Sequence, residues 1–257
     1  MEDRVRAALS GLPGVALALG GSRARGNASP DSDYDIGLYY ESPPDFDAIL
    51  AAVAGLGEVI GFGRYGEWGP WINGGVWAGV DGVKVDVLLR DARRVREVVL
   101  ECAAGRPEIH HQVGHPHGFV TAIYAGEVAQ CVPLHDPHGL LADLRALTDP
   151  YPEPLAEALI SRFGWEVDFA LDTAESAAGR GDTAYVTGCV YRAVACLTQV
   201  LFARERRYLT NEKGSVRLAG EFAPGYPEAV ERALGHLAGD LPAALRSTRA
   251  LARDHLR

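Results

Sequence analysis

The sequence has few cysteines, and they lack the spacing that cysteine chemistry usually needs. Four are present, and no two of them form a Cys-x-x-Cys pair: Cys102, Cys131, Cys189 and Cys196. Zinc ribbons and disulfide-stabilised scaffolds are therefore not indicated. We expect the four side chains to be small apolar residues of the interior, in a protein of the reducing cytoplasm.

The sequence also lacks the apolar segments of exported and membrane proteins. The first six residues are mostly charged and contain no apolar signal-peptide core. The most apolar long segment, residues 185–202, is interrupted by Arg192 and Gln199. This interruption favours a buried helix over a membrane span, so no membrane partner is expected.

Positive charge is scarce as well. Lys and Arg number 25 against 34 Asp and Glu, which gives a formal net charge of −9. Because the phosphates of nucleic acids attract basic surfaces, a nucleic-acid partner is not expected. A composition of 47% hydrophobic and 23% charged residues, without repeats, is typical of a folded protein with one large or two small domains.

The patterns that are present divide the chain into two parts. The first part mixes helices with short strand-like runs and contains a hairpin signal at Asp81-Gly82. From about residue 140 the pattern is almost entirely helical, with helices expected at 139–147, 153–176, 183–206, 227–237 and 241–256. We predict an α+β protein with an N-terminal mixed-sheet domain at residues 1–149 and a C-terminal α-helical bundle at residues 150–257.

A glycine-serine turn followed by spaced carboxylates is the most informative pattern. Gly21-Ser22 follows the first predicted strand, and Asp33 and Asp35 follow ten residues later at the head of another. Alternation places both carboxylates on one face of an extended chain, where cations must offset their repulsion. Asp86 interrupts an apolar strand, and a metal shared with the other two would supply its partner. The pattern predicts a phosphate-binding turn beside a two-metal site for phosphoryl transfer.

These five positions resemble the DNA polymerase β-type nucleotidyltransferase superfamily. The likeness is to its small bacterial members, namely the minimal nucleotidyltransferases and the antibiotic nucleotidyltransferases that act on aminoglycosides or lincosamides. It implies an enzyme that transfers a nucleoside monophosphate, AMP by resemblance, from a nucleoside triphosphate to a hydroxyl and releases pyrophosphate. The implied cofactor is two Mg²⁺ ions, held by Asp33, Asp35 and Asp86, with ATP or another nucleoside triphosphate as co-substrate.

The resemblance also implies nucleotide contacts. Gly21 and Ser22 would lie against the phosphates, and Arg25, which follows the turn, is a further candidate. Lys213, in the predicted helical domain, matches a lysine that reaches the triphosphate in antibiotic-modifying relatives, with a solvated surface lysine as the alternative. Arg192 is another candidate, and for it a buried ion pair is the alternative.

One face of the predicted helix at 153–176 carries aromatic and acidic side chains together. It either lines an acceptor cleft or is buried against another helix. Together with the negative net charge, this face predicts a cationic small-molecule acceptor. The candidate acceptor contacts are Trp165, Glu166, Asp168 and Asp172, with Phe169 beside them.

The general base and the class of acceptor stay open at this level. Asp86 is one candidate base, and relatives imply a carboxylate of the helical domain, for which Glu166 and Asp168 qualify. Alternatives to a small-molecule transferase are an enzyme that adenylylates a protein partner of antitoxin type, a non-catalytic nucleotide-binding module and, disfavoured by the negative net charge, an RNA-extending polymerase. Both monomer and homodimer are compatible with the sequence.

Two further clusters have ordinary structural interpretations. The histidines between residues 110 and 138 lie among glycines and prolines without a cysteine at ligand spacing, so they are not predicted to bind metal. The tryptophans of the first domain are predicted to pack in the core or at its rim, with stacking on a base or an acceptor as the alternative; they are Trp68, Trp71 and Trp77.

Overall fold

The computed structural model describes residues 1–26 and 28–256, which form two compact units. The first unit comprises Met1–Glu101 and Ile109–Pro150, and the second comprises Cys102–Glu108 and the chain from Tyr151 onward. The fold class is α+β, as predicted: a mixed sheet with helices, then a helical region. The domain limits 1–149 and 150–257 stay a prediction, because contacts define a compact unit without showing that it folds alone.

A six-stranded sheet organises the first unit. Its order is β3-β4-β5-β2-β1-β8, with β2 and β5 parallel and the other neighbours antiparallel, and β6 and β7 form a separate hairpin. The elements in chain order are α1 (Glu2–Leu9), β1 (Val15–Leu19), α2 (Gly21–Ala24), β2 (Tyr34–Tyr40), α3 (Phe46–Ala54), β3 (Glu58–Gly63), β4 (Gly75–Val80), β5 (Val83–Asp91), α4 (Ala92–Ala103), β6 (Ile109–Gln112), β7 (His115–Val120), α5 (Ala122–Gln130), β8 (Val132–His135) and α6 (Leu140–Arg145).

One face of this sheet is apolar and the other carries the polar side chains. On β5, Val85 and Val87 are fully buried in a core that also includes residues of α1 and α3. Side chains alternate along a strand, so Lys84 and Asp86 project from the opposite face. The predicted hairpin is confirmed, since Asp81 and Gly82 both have positive φ, as a two-residue turn between antiparallel strands requires.

The second unit is helical. Its longest helices, α7 (Glu153–Gly179) and α8 (Thr183–Arg204), pack against each other, and α11 (Leu241–Leu256) packs on both. The shorter helices are α9 (Ser215–Ala219) and α10 (Tyr226–Gly235). The helix predicted at 227–237 is shorter than expected, because its last residues form a separate 3₁₀ turn, and α9 was not predicted.

Helix α8 is long and apolar enough to span a membrane by length and composition alone. However, 67% of its most apolar 18-residue window is buried inside the protein. Even its polar Thr198 is buried, where its hydroxyl lies 2.8 Å from the Tyr226 hydroxyl. This burial matches the core helix that the sequence predicts.

Candidate active site

The glycine turn after β1 lies directly against a carboxylate of β2. Gly20 donates its backbone N–H to the carbonyl of Asp35 at 2.7 Å. Gly21 has φ +64°, and a Cβ placed there would lie 1.8 Å from Asp35 Oδ2. Only glycine permits both this left-handed backbone and this close approach. Ser22 follows in α2, and this short helix packs against β2.

The three predicted metal carboxylates come together on one face of the sheet. In the parallel pairing of β2 with β5, Asp35 lies directly beside Asp86. Asp33 precedes Asp35 by two residues, so alternation directs both toward the same side. The structure therefore brings Asp86 beside Asp33 and Asp35, from which it is separated by more than fifty residues in the sequence.

Crowding and burial make Asp35 and Asp86 harder to ionise, because both raise the pKa of each carboxyl. Burial raises the pKa of Asp35, and the charges of Asp86 and Asp33 raise it further, against the opposing effect of Arg25 and Lys84. Burial also raises the pKa of Asp86, although a hydrogen bond from Lys84 partly offsets it. A cation that binds here would stabilise the ionised carboxylates, because it offsets their mutual repulsion.

Lys84 is a site residue that the sequence analysis missed. Its Nζ donates to Asp86 Oδ2 at 2.7 Å and lies 3.8 Å from Asp33 Oδ2. The signal was available, because Lys84-Val85-Asp86 alternates on a strand and must place the ammonium on the same face as the carboxylate.

The donor set fits a divalent cation. Across residues 1–26 and 28–256, no group of three or more His, Cys, Asp or Glu is already arranged as a metal centre. Asp86 Oδ1, however, is buried and has no hydrogen-bond partner within those residues. A buried carboxylate oxygen without a partner is costly, and carboxylate oxygens are the ligands that Mg²⁺ takes in proteins. Asp86, Asp35 and Asp33 are therefore the residues that would hold such an ion.

The two arginines after the turn have different surroundings. Arg23 donates to the backbone carbonyls of Ser32, at 2.6 Å, and Asp33, at 3.2 Å, and its guanidinium stacks 3.8 Å from the Tyr34 ring centroid. It therefore fixes the loop that leads into β2. Arg25 is exposed and interacts electrostatically with Asp35, so it stays the better candidate for a phosphate contact.

In the second unit, two predicted site residues pair with each other. The guanidinium of Arg192 donates to the carboxylate of Glu166, and the Cys196 thiol donates to the same oxygen at 3.1 Å. Burial opposes ionisation of Glu166, but the bonds from Cys196 and Arg192 outweigh it and lower its pKa. The pair lies at a groove of about 470 Å³ between α7 and α8, which Phe169 and Tyr185 also line.

The other predicted acceptor residues do not converge on that groove. Asp172 pairs with Arg249 at 2.7 Å, a long-range partner that sequence spacing does not reveal. Trp165 is exposed and packs edge-on against Phe169, and Asp168 is exposed on the same helix. Of the four predicted contacts, Glu166 is the one that lines the groove.

Lys213 is exposed in the loop before α9. Its backbone N–H donates to the Asn211 side chain at 2.8 Å, which fixes the chain just ahead of Gly214. Its role toward a triphosphate stays a prediction.

The histidine-rich segment forms part of an aromatic cluster in the first unit. His110 packs 4.5 Å from Trp71, and His115 lies edge-on to Phe119. Trp71 is buried, as its core interpretation predicts, and it also contacts Tyr124.

Comparison with known families identifies the first of these regions. A family model described as a nucleotidyltransferase domain matches residues 2–97, a range that contains the turn and all three carboxylates. Residues 2–97 are a nucleotidyltransferase domain. The resemblance to the polymerase β-type superfamily is thereby confirmed over these residues, the protein carries a nucleotidyltransferase domain, and that domain family implies a nucleoside triphosphate substrate.

Other comparisons add less. A second model, a domain of unknown function (DUF4037), matches residues 121–213, which include α7 and α8. The crystal structure of a nucleotidyltransferase-like protein from Exiguobacterium sibiricum 255-15 is similar over 99% of this chain and 75% of that one, with 12% identity and a TM-score of 0.45. No curated protein matches the sequence.

Proposed function

We propose that this nucleotidyltransferase uses Mg²⁺ to transfer a nucleoside monophosphate, AMP by resemblance, to a hydroxyl of a cationic small molecule. The observation that carries the proposal is the cluster of Asp33, Asp35 and Asp86 beside the glycine turn, with a buried oxygen on Asp86 that has no partner among the described residues. We further propose a cytoplasmic location, which is supported by four cysteines that form no disulfide within the described residues.

The glycine turn would bind the phosphates. Gly21 carries no side chain, so a phosphate can approach the backbone beside Asp35 closely. Ser22 would add a hydroxyl donor, Arg25 a cation at the edge of the turn, and Lys213 a long ammonium from the helical region. Without a metal ion, the three carboxylates would repel the phosphates. Two bound Mg²⁺ ions would neutralise the charge of the carboxylates and activate the acceptor hydroxyl.

The transfer itself is a single displacement at phosphorus. The acceptor oxygen forms a bond to the α-phosphorus, and the bond from that phosphorus to the oxygen bridging to the β-phosphate breaks. Pyrophosphate leaves with the electron pair of the broken bond. The hydroxyl proton needs a base within hydrogen-bond reach.

Asp86 is the favoured base. Lys84 donates to its Oδ2, whereas Oδ1 has no hydrogen-bond partner among the described residues, and burial raises the pKa of this carboxyl above its ordinary value. Glu166 has the opposite properties, since its pKa is lowered and its carboxylate is already bound by Arg192 and Cys196. A base works best when its pKa lies near the working pH. Asp168 stays the alternative in the helical region.

Charge supports a cationic acceptor. The chain carries a net charge of −9, and Trp165 and Asp168 are exposed together on α7. An indole ring and a carboxylate are suited to a ring-bearing ammonium compound.

The test is transfer of label from α-³²P-ATP with Mg²⁺ to a panel of aminoglycosides and lincosamides, with cell extract as a separate arm. We expect a labelled small molecule with wild-type protein and none with Asp35→Asn. Asp143→Asn, an exposed aspartate of α6, is the matched control and should keep full activity. A labelled protein in the extract arm, with no labelled small molecule, would replace the proposal with protein adenylylation.

A further inference from the structure

The row of side chains that contains the carboxylates continues into an aromatic pair. Trp77 on β4 lies directly across from Asp86 on β5, just as Asp86 lies beside Asp35 on β2. Directly paired residues of neighbouring strands point to the same face, and such strands are about 4.8 Å apart. Trp77 is therefore the next side chain after Asp86 on the polar face of the sheet.

Trp68 adds a second indole ring to Trp77. Its ring stacks on that of Trp77, with 4.5 Å between centroids and 15° between planes, and its side chain is 45% exposed. The loop that carries it is anchored, because Gln112, which is buried, donates to the Trp68 carbonyl at 3.0 Å. The stacked pair is thus held in place before any ligand arrives, which reduces the entropy cost of binding.

Glycines keep the sheet beside this pair clear. Gly61 on β3 lies directly across from Trp77, and a Cβ added to it would meet nothing within 4 Å among the described residues. Gly79, two residues from Trp77 on the same face of β4, has a single such contact, with Ile60 at 3.7 Å. The result is a flat aromatic surface with open space beside it, continuous with the carboxylate cluster.

The order of strands separates two ends of the site. The phosphate-binding turn follows β1, and the sheet order then runs through β2 and β5 to β4 and β3. Asp86 thus lies between the turn on one side and Trp77 on the other. An acceptor hydroxyl that lies beside Asp86 on the side away from the turn would approach the α-phosphate from the Trp77 side.

We propose that the Trp68–Trp77 pair binds the ring of the acceptor, which is a hydroxyl-bearing ring compound stacked on the indole surface with its hydroxyl toward Asp86. This inference rests on the proposed function, because it assigns Asp86 to the acceptor side of the reaction. It moves the main acceptor contact from the α7 face to the sheet. Indole faces bind sugar rings and ring-bearing cations through dispersion and their negative π-face.

The test uses the fluorescence of the stacked tryptophans. We titrate the wild-type protein separately with kanamycin, lincomycin and ATP–Mg²⁺, repeat each titration with Trp68→Ala, and use Trp165→Phe in parallel to identify any emission change that comes from Trp165. We expect at least one of the two ring compounds to quench emission and to bind about tenfold more weakly after Trp68→Ala, as for loss of one stacking contact. ATP affinity should not change. Phe62→Ala is the matched control, since this exposed aromatic pairs with Val76 on the apolar face.

A second variant adds bulk instead of removing it. Gly61→Leu adds a side chain beside Trp77, at a position where a Cβ meets nothing within 4 Å among the described residues, so it should weaken binding of the ring compound at an unchanged melting temperature. Ring-compound affinity unchanged by both Trp68→Ala and Gly61→Leu, or no binding of either compound, would overturn the inference. Weaker ATP binding in Trp68→Ala would also overturn it and assign the pair to the nucleobase. Failure of the proposed function can be distinguished from failure of this inference. In the first case no label is transferred, even where the ring compound binds.

Discussion

The ammonium of Lys84 donates to Asp86 Oδ2 at 2.7 Å and lies 3.8 Å from Asp33 Oδ2, so one lysine contacts two of the three carboxylates of the site. Lys84 is therefore a counter-ion, supplied by the domain itself, for the negative charge of Asp33 and Asp86. Metal entry at Asp86 then competes with an existing charged hydrogen bond.

Replacing this lysine should expose that competition. In EDTA at pH 7.5, Lys84→Met should lower the melting temperature, because two carboxylates lose a cation. Lys84 is 41% exposed, so solvent screening limits the loss to about 1 kcal/mol, or about 2–4 °C. Added Mg²⁺ should then raise the melting temperature more than in wild type. Arg93→Met, which removes another exposed cation of this unit, should respond to Mg²⁺ like wild type.

Asp35→Asn should stabilise the metal-free protein at neutral pH. Burial and the charges of Asp86 and Asp33 raise the Asp35 pKa above its ordinary 3.8, so the folded state binds the proton more tightly than the unfolded state. The stabilisation from this proton is complete below pH 3.8 and is lost as the pH rises through the folded pKa. Melting curves in EDTA should therefore show a variant that is more stable than wild type at pH 7.5, with a smaller difference at low pH. A Mg²⁺-dependent rise in melting temperature equal to that of wild type would contradict the metal assignment.

Gly21→Ala should abolish activity, and Gly26→Ala should not. Both glycines have positive φ, so each substitution pays a similar backbone cost of about 1 kcal/mol. At Gly21 the new Cβ would also collide with Asp35 Oδ2, whereas at Gly26 it meets nothing within 4 Å among the described residues. Label transfer and melting temperature, measured together, separate the two effects. Equal activity of the two variants would show that the close approach at Gly21 is not needed.

The Arg192–Glu166 pair offers a test of a structural against a nucleotide-binding role. Arg192→Met leaves the partly buried Glu166 carboxylate without its cation and should cost about 1–3 kcal/mol of stability. Because the Glu166 pKa is lowered, the pair stabilises the fold above pH 4.5 and loses its effect as the pH falls through the folded pKa. The double variant Arg192→Met, Glu166→Gln should recover most of the loss. Weaker ATP binding by the double variant at full stability would instead indicate a nucleotide contact.

Lys213→Ala should weaken ATP binding and leave the fold unchanged. An exposed loop lysine usually alters stability by less than about 0.5 kcal/mol, so a loss of affinity can be assigned to the ligand contact. The measurement belongs at low ionic strength, since salt screens exposed charges. The control is Arg217→Ala, which removes a nearby exposed cation of α9. If both variants bind ATP equally well, Lys213 is a solvated surface lysine and not a phosphate contact.

The sequence predicted those site residues whose arrangement follows from spacing along a single strand. Asp35 lies on β2, Asp33 lies just before that strand at the alternating position, and Asp86 interrupts an apolar strand, so their proximity follows from strand periodicity. Lys84 obeyed the same rule and was overlooked. Glu166 and Asp172 were assigned to an acceptor, yet the structure pairs them with Arg192 and Arg249, twenty-six and seventy-seven residues away. Such pairings depend on helix packing, which no local spacing encodes.

The hydrogen bonds of Arg23 have a consequence for how the motif is defined. Its guanidinium reaches the carbonyls of Ser32 and Asp33, so the two ends of the segment from Ser22 to Asp33 are fastened directly to each other. Residues inserted near Ala28 would extend an exposed loop, at an entropy cost that grows only slowly with length. Holding the two ends together therefore does not require an interval of ten residues. Relatives with a longer interval but an arginine in the Arg23 position should be sought as members of the same group.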